Sequence, residues 1–283
     1  MKKKVGFTLF VIAAFVACYF INNANKDYVK RHETYGQFIK DKDSEAEVAK
    51  VSNDKTNELK VDAENELNKT ENEEIKKVAY LTFDDGPSDH TKEVLATLKK
   101  YNIKATFFMI GEEITPEREA MVKEMVKEGH VIGVHTYCHR KNEMYQNKES
   151  CVKDFTKAYD KLVEVTGVKP SVFRFPYGSA NCYCNNFCVD VIEEMDKKGL
   201  TYYDWNVSAE DAVGHPTTYS IMKNIATFRK YNEPVVLMHD GSSNGLTAKM
   251  LPQIIERIKA AGYEFDTVDK RSKPYQWPHD WQK

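Results

Sequence analysis

Neither sign of charge dominates this chain of 283 residues, in which 41 Lys and Arg stand against 43 Asp and Glu for a net charge of −2. A nucleic-acid or acidic-surface partner therefore finds no support in the charge. No G-x-G-x-x-G follows any apolar run, so the signature of a dinucleotide-binding open sheet is missing. The cysteines Cys182, Cys184 and Cys188 form C-x-C-x-x-x-C, which is not a usual zinc spacing. Glycine and proline are nearly absent from about residue 22 to 77, so that stretch has little turn chemistry. Yet 41% of residues are hydrophobic and 12% aromatic, which excludes wholesale disorder and allows a sizeable core. Because mean hydropathy is still −0.60, the polar residues must be concentrated in part of the chain.

The N-terminus separates first. Lys2, Lys3 and Lys4 precede an uncharged apolar run from Val5 to Ile21, a helix of roughly 25 Å at 1.5 Å per residue. Lysines before the run and mixed charge after it predict a single-pass anchor over residues 1–22, with the rest of the chain outside the membrane. The alternative is a secreted protein released by signal cleavage, although no A-x-A site follows the apolar core. Cys18 lies in a poor match to a lipoprotein cleavage site. Residues 23–77 are rich in Lys, Glu, Asp and Asn and read as a charged stalk or linker.

From Val78 the texture changes. Seven short apolar runs, VAYLTF, ATFFMI, HVIGV, SVFRF, LTYYDW, PVVLM and YEFDTV, alternate with helix-period segments to about Val268. Helices are expected over Asp89 to Tyr101, from Pro116 to just before Gly129, and at about Lys148 to Thr166, Val189 to Lys198, Thr217 to Lys230 and Ala248 to Ala261. This alternation predicts an α/β domain over residues 78–270, with about seven parallel strands in a closed or nearly closed barrel. An open doubly wound sheet is the alternative, and residues 271–283 read as a C-terminal tail.

The unusual polar residues follow apolar runs: Asp84 and Asp85, His135, Arg174, Asp204 and His239. In parallel barrels those strand ends carry the active site. His135 and His139 are spaced i, i+4, which on a helical turn puts both imidazoles on one side. A nearby carboxylate would complete a three-ligand metal site. Asp84 and Asp85 repel each other unless a cation or Arg offsets them. At a strand end, one can ligate while its neighbour accepts a proton. The bland alternatives are an Asp-Gly-Pro turn, an Arg-to-Asp bridge and a core histidine.

Five segments taken in order carry a resemblance: Thr82-Phe83-Asp84-Asp85-Gly86-Pro87, His135-Thr136-Tyr137-Cys138-His139, Arg174-Phe175-Pro176-Tyr177-Gly178, Asp204-Trp205 and Leu237-Met238-His239. They resemble the motifs of the polysaccharide deacetylases, the NodB-homology domain of carbohydrate esterase family 4. The resemblance covers about Val78 to Val268. It implies a distorted (β/α) barrel and metal-dependent removal of N-acetyl, sometimes O-acetyl, groups from polymeric sugars. By the same resemblance, Asp85, His135 and His139 would bind the metal, Zn²⁺ first, with Co²⁺, Ni²⁺ or Mn²⁺ as alternatives. Asp84 would be the general base, Arg174 its partner, and Tyr177 the backbone N–H donor to the oxyanion. His239 would be the general acid, with Asp204 pairing to it. Trp205, Leu237 and Pro176 would wall the acetyl pocket.

Cys138, Cys151, Cys182, Cys184 and Cys188 depart from what this constellation needs. Outside the membrane, one or two disulfides bracing the rim loops are expected; a second metal site or redox-sensitive thiols are the alternative. The anchor and stalk suit a polymer lying beside the membrane, so peptidoglycan is the expected substrate, at N-acetylglucosamine or N-acetylmuramic acid. Chitin oligomers, exopolysaccharide and acetylxylan are other glycans the same site would take. A non-catalytic surface carbohydrate-binding protein and a different amide-cleaving metal hydrolase are the other function classes.

Overall fold

A computed structural model of the protein describes residues 76–184 and 186–278. The anchor expected over residues 1–22 and the stalk, apart from its last two residues, lie outside the described residues. Among the described residues, no helix is long and apolar enough to cross a membrane.

All seven apolar runs become strands: β1 (Val78–Asp84), β2 (Thr106–Ile110), β3 (Val131–Thr136), β4 (Val172–Phe173), β5 (Thr201–Tyr202), β7 (Val235–His239) and β8 (Glu264–Asp266). An additional strand, β6 (Val207–Ser208), follows LTYYDW too closely to stand out as a separate run. Every pairing is parallel, and the order is β5-β4-β3-β2-β1-β7-β6, with β8 pairing the start of β1. No strand pairing joins β5 to β6 among the described residues. The sheet is therefore a parallel barrel left open at one seam.

Helices fill the connections: α1 (Asp89–Tyr101), α2 (Pro116–Lys127), α3 (Lys141–Met144), α4 (Lys148–Thr166), α5 (Cys188–Asp196), α6 (Thr218–Ile225) and α7 (Gly245–Lys259). Their ends follow local chemistry. Ser88 accepts from the backbone N–H of His90 while Thr91 closes a reciprocal capping box at α1. Pro116 opens α2 at a position where its missing N–H is harmless. Only α3, a single turn, has no counterpart among the expected helices.

The pleat of β1 explains where the core and site lie. Ala79, Leu81 and Phe83 belong to the large apolar cluster, whereas Tyr80 joins a smaller one with Phe108, Val172, Tyr203, Val235 and Val268. Since side chains alternate across a strand, Tyr80, Thr82 and Asp84 share a face opposite Ala79, Leu81 and Phe83. In the large cluster, Phe155 of α4 packs edge-on against Phe173 and Phe175, each at 5.4 Å. Such burial stabilises the domain by roughly 1.5–3 kcal/mol per large apolar side chain.

The C-terminal segment docks at the open seam between β5 and β6. The Tyr275 carbonyl accepts from the Asp204 N–H at 2.8 Å, Gln276 donates to the Tyr202 carbonyl at 3.2 Å, and the Trp277 indole donates to the Trp205 carbonyl at 2.7 Å.

Candidate active site

The ionisable residues come together where the strands end. Asp84 closes β1, and its Cα partner across the ladder is His239, the last residue of β7. Asp84 is buried, and its Oδ1 accepts from Arg174 Nη1 at 2.9 Å. Arg174 is fully buried and fully engaged: its other contacts go to the carbonyls of Tyr203 (2.9 Å) and Asp204 (3.2 Å) and to Thr82 Oγ1 (2.8 Å). Its guanidinium also lies 4.1 Å from the Phe108 ring centroid. A fixed planar fork of donors suits this buried pairing better than a lysine would.

Beside it stands a cluster of donors suited to a cation. Asp85 Oδ1 lies 3.4 Å from His135 Nε2 and 3.4 Å from His139 Nε2. These three residues are the one group of its kind among the described residues. His135 Nδ1 lies 3.0 Å from the Arg174 carbonyl, so Nδ1–H donates to that carbonyl and the Nε2 lone pair is left facing Asp85. Asp85 Oδ1 is buried without a hydrogen-bond partner, a costly state for a carboxylate oxygen. A divalent cation would satisfy that oxygen and both imidazoles together, so the residues present fit the group. Burial raises the pKa of the Asp85 carboxyl, but the adjoining imidazoles, His135 first and then His139 and His239, outweigh it and hold the group ionised. Burial, reinforced by His135, lowers the pKa of His139 and favours its neutral, ligating form.

The two histidines do not share a helical turn, as their spacing suggested. His135 is in β3, while His139 lies in a tight turn at φ 52°. Asp154 of α4 makes that turn. Its carboxylate accepts from the backbone N–H groups of Tyr137 (2.7 Å) and Cys138 (3.2 Å) and from the Thr136 hydroxyl. Thr136 Oγ1 in turn accepts from the His139 N–H at 3.2 Å. Asp85 at φ 73° and Tyr177 at φ 68° also occupy the left-handed region, which costs roughly 1–2 kcal/mol for a residue with a Cβ. Strain of this kind persists where its surroundings over-determine it, often at functional sites.

His239 has a different carboxylate partner from the one expected. Asp211 Oδ1 lies 2.8 Å from His239 Nδ1, and Asp211 Oδ2 accepts from the His239 backbone N–H at 2.9 Å. Asp204 is committed elsewhere: its oxygens accept from the Ser179 N–H (2.8 Å), the Ser179 hydroxyl (2.5 Å) and the Trp277 N–H (2.9 Å). The expected Asp204–His239 pairing is thus replaced by Asp211–His239. Burial alone would lower the His239 pKa, but the Asp211 hydrogen bond and charge, with Asp84 and Asp85, push it up to about 9. The pair leaves the imidazolium with a proton to give.

Tyr177 follows β4 at the rim, half exposed, with its ring 5.5 Å from that of His139. The Pro176 carbonyl behind it accepts from Tyr145 and Asn181. Leu237 lies two residues before His239 in β7 and is buried, whereas Trp205 is half-buried against Trp277 at 4.5 Å between centroids.

A sequence model described as polysaccharide deacetylase matches residues 71–202. A peptidoglycan-N-acetylglucosamine deacetylase of Bacillus cereus is 33% identical over 225 residues, covering 76% of this chain and 80% of that protein. The chain belongs to the polysaccharide deacetylase family. Solved members agree in fold. The catalytic domain of peptidoglycan N-acetylglucosamine deacetylase from Eubacterium rectale superposes with a TM-score of 0.64 at 34% identity, covering 71% of this chain and 93% of that one. The polysaccharide deacetylase Bc1974 from Bacillus cereus gives a TM-score of 0.64 at 33% identity, covering 72% and 98%.

Within this deacetylase domain, Asp154 and Asp211 are the residues that sequence reasoning missed. Asp154 sits inside a helix with no unusual neighbour, so its role is legible only in three dimensions. Asp211 follows β6, so the rule that found the other strand-end groups would have found it had that strand been legible. The expected disulfides are not formed, since Cys138, Cys151, Cys182, Cys184 and Cys188 are all free thiols. Cys151, Cys184 and Cys188 are buried in the large apolar cluster and serve there as small core side chains.

Proposed function

We propose that this deacetylase hydrolyses N-acetyl groups of peptidoglycan N-acetylglucosamine, using a divalent cation, Zn²⁺ first, held by Asp85, His135 and His139. The observation that carries the reading is the buried, unpartnered Asp85 oxygen 3.4 Å from two imidazole nitrogens, next to an Asp84 pinned by Arg174. When bound, the cation supplies polarisation of the acetyl carbonyl and acidification of the attacking water.

The chain's own residues do the rest. Asp84 removes a proton from the attacking water, and the Arg174 contact at 2.9 Å fixes its orientation. The Tyr177 backbone N–H donates to the oxygen that becomes negative as the carbonyl carbon turns tetrahedral, a contact worth roughly 3–4 kcal/mol in comparable sites. His239 gives its proton to the sugar nitrogen as the C–N bond breaks, so that an amine leaves rather than an amide anion. Asp211 orients that ring and keeps it charged. In this reading Trp205, Leu237 and Pro176 wall the acetyl group. Peptidoglycan is favoured by the substrate named for the Bacillus cereus and Eubacterium rectale relatives. The lysine-led apolar run and charged stalk support a catalytic domain held outside the membrane.

Acetate release from purified peptidoglycan by the full chain tests the reading, comparing metal-stripped, Zn²⁺-restored and restored Asp84→Asn protein. Metal-dependent release that vanishes in the variant is expected. A folded, metal-loaded enzyme that releases acetate only from chitin oligomers or acetylxylan would move the substrate to another glycan. No release from any acetylated glycan would leave a binding role.

A further inference from the structure

Asp204, freed from the role expected of it, sits at the centre of a brace that no strand supplies. Its backbone N–H donates to the Tyr275 carbonyl, and its carboxylate accepts at once from Ser179 and from the Trp277 N–H. Ser179 belongs to the loop carrying Tyr177, and Trp277 to the C-terminal segment, so one buried carboxylate joins the two. Burial pushes the Asp204 pKa up, while Ser179, Trp277 and Arg174 oppose that shift. The Trp277 indole anchors on the Trp205 carbonyl and its ring packs on the Trp205 ring.

Gly178 is the point of closest contact. It holds φ 81°, and a Cβ there would come within 2.4 Å of Trp277 and 3.0 Å of Trp205. The indole thus lies against the backbone of the residue that follows Tyr177. Tyr177 itself holds φ 68°, a conformation an L-residue leaves unless its neighbours prevent it. Tyr145 and Asn181 hold the loop through the Pro176 carbonyl, and Asn181 also bonds the Gly178 carbonyl at 2.7 Å. From the seam side, Asp204 holds Ser179 and Trp277 lies against Gly178.

We propose that Trp277 and Asp204 are positioning residues for the deacetylation, and that residues 275–277 are a strap across the barrel seam that holds the Tyr177 N–H in its working direction. The inference rests on the functional reading above for what that N–H does, but the bracing itself can be measured without turnover. Removing the strap leaves the donor present and misdirected, and a displacement of about 1 Å can cost on the order of 100-fold in rate.

The test compares wild type, Trp277→Ala, Trp277→Phe and Asp204→Asn in the full, Zn²⁺-loaded chain. Hydrogen exchange is read first. Amides of residues 177–181 are expected to exchange at least about tenfold faster in Trp277→Ala, with β1 and β3 unchanged and Trp277→Phe intermediate. Acetate release should then show kcat lowered about 10- to 100-fold with KM within about twofold. Zn²⁺ affinity should stay at the wild-type value, because the strap touches none of the three ligands. Asp204→Asn combined with Trp277→Ala should lower kcat by less than the product of the single effects. Unchanged exchange over 177–181, or loss of protection spread equally over β1 and β3, would overturn the proposal. So would a Trp277→Ala enzyme with wild-type kcat. If wild type released no acetate, the functional reading would fail while the exchange comparison still decided the brace.

Discussion

Asp211 holds His239 at two points, with one oxygen 2.8 Å from the ring Nδ1 and the other 2.9 Å from the backbone N–H. Thr247 donates to the second oxygen at 2.6 Å, so the carboxylate cannot swing away from the ring. One side chain thus fixes the position of the imidazolium and does most to keep it charged. Asp211→Asn keeps the shape and removes the charge. His239 stays protonated up to about 9 in the native enzyme, so a proton-donating His239 loses activity as pH rises through that value. In the variant this loss moves to lower pH, and kcat at pH 8 falls on the order of 100-fold. A pH–rate profile of both proteins checks the shift.

The same group links stability to pH. Its folded pKa of about 9 lies above the ordinary 6.5, so its contribution is complete below about 6.5 and is lost as pH rises through 9. Thermal unfolding of wild type between pH 6 and 10 should show this loss, and Asp211→Asn should reduce it.

Breaking the Arg174–Asp84 pair leaves a buried charge alone. Arg174→Met should cost about 3–5 kcal/mol of stability, because the Asp84 carboxylate remains in place without its counter-charge. Adding Asp84→Asn should recover part of that loss. Urea unfolding of the single and double variants measures the recovery, and a purely additive result would contradict the pairing.

Asp154 acts on the cation site through the turn it ties. Asp154→Ala frees the N–H groups of Tyr137 and Cys138 and the Thr136 hydroxyl, loosening the backbone that presents His139. Zn²⁺ affinity, measured by competition with a chelating dye, should fall about 10- to 100-fold, in the range found for supporting shells around metal ligands. His135→Ala, which deletes a ligand, should lose more.

Asp240 is fully buried, accepts from Thr91 Oγ1 at 2.5 Å and has its other oxygen unpartnered. Burial, with repulsion from Asp85 and Asp84, pushes its pKa up to about 7 from 3.8. The folded state therefore binds this proton more tightly than the unfolded state, and stability from this group declines between about pH 4 and 7. Asp240→Asn keeps the Thr91 contact and should flatten that part of the stability curve, as read by Tm against pH.

The sequence disclosed most of this fold because each strand but one is a compact apolar run between helix-period segments. Asp89 to Tyr101 and Lys148 to Thr166 match α1 and α4 residue for residue, since the Ser88 cap and Gly167 mark the ends locally. The barrel seam was not legible, because β5 and β6 are two residues each and their separation depends on what packs between them. At the site, the spacing of His135 and His139 pointed to the pair but not to the turn, which depends on the carboxylate of Asp154, one helix further along the chain. Asp204 and Asp211 show a sharper limit. Both follow short strands, and only the third dimension decides which carboxylate reaches His239. The disulfides were expected from location alone, whereas packing places three of the thiols in the core.

Asp84 and His239 are Cα partners at the ends of β1 and β7, so the groups assigned to take and to give the proton are spaced by sheet geometry rather than by loops. Moving β1 by one residue would bring Phe83 to that level and turn Asp84 toward the helices. A single inserted or deleted residue within Val78–Asp84 should therefore be fatal to turnover. The exposed segment around Val213, between Asp211 and α6, is free of that constraint, so length changes over evolutionary time should accumulate there and spare the two strands.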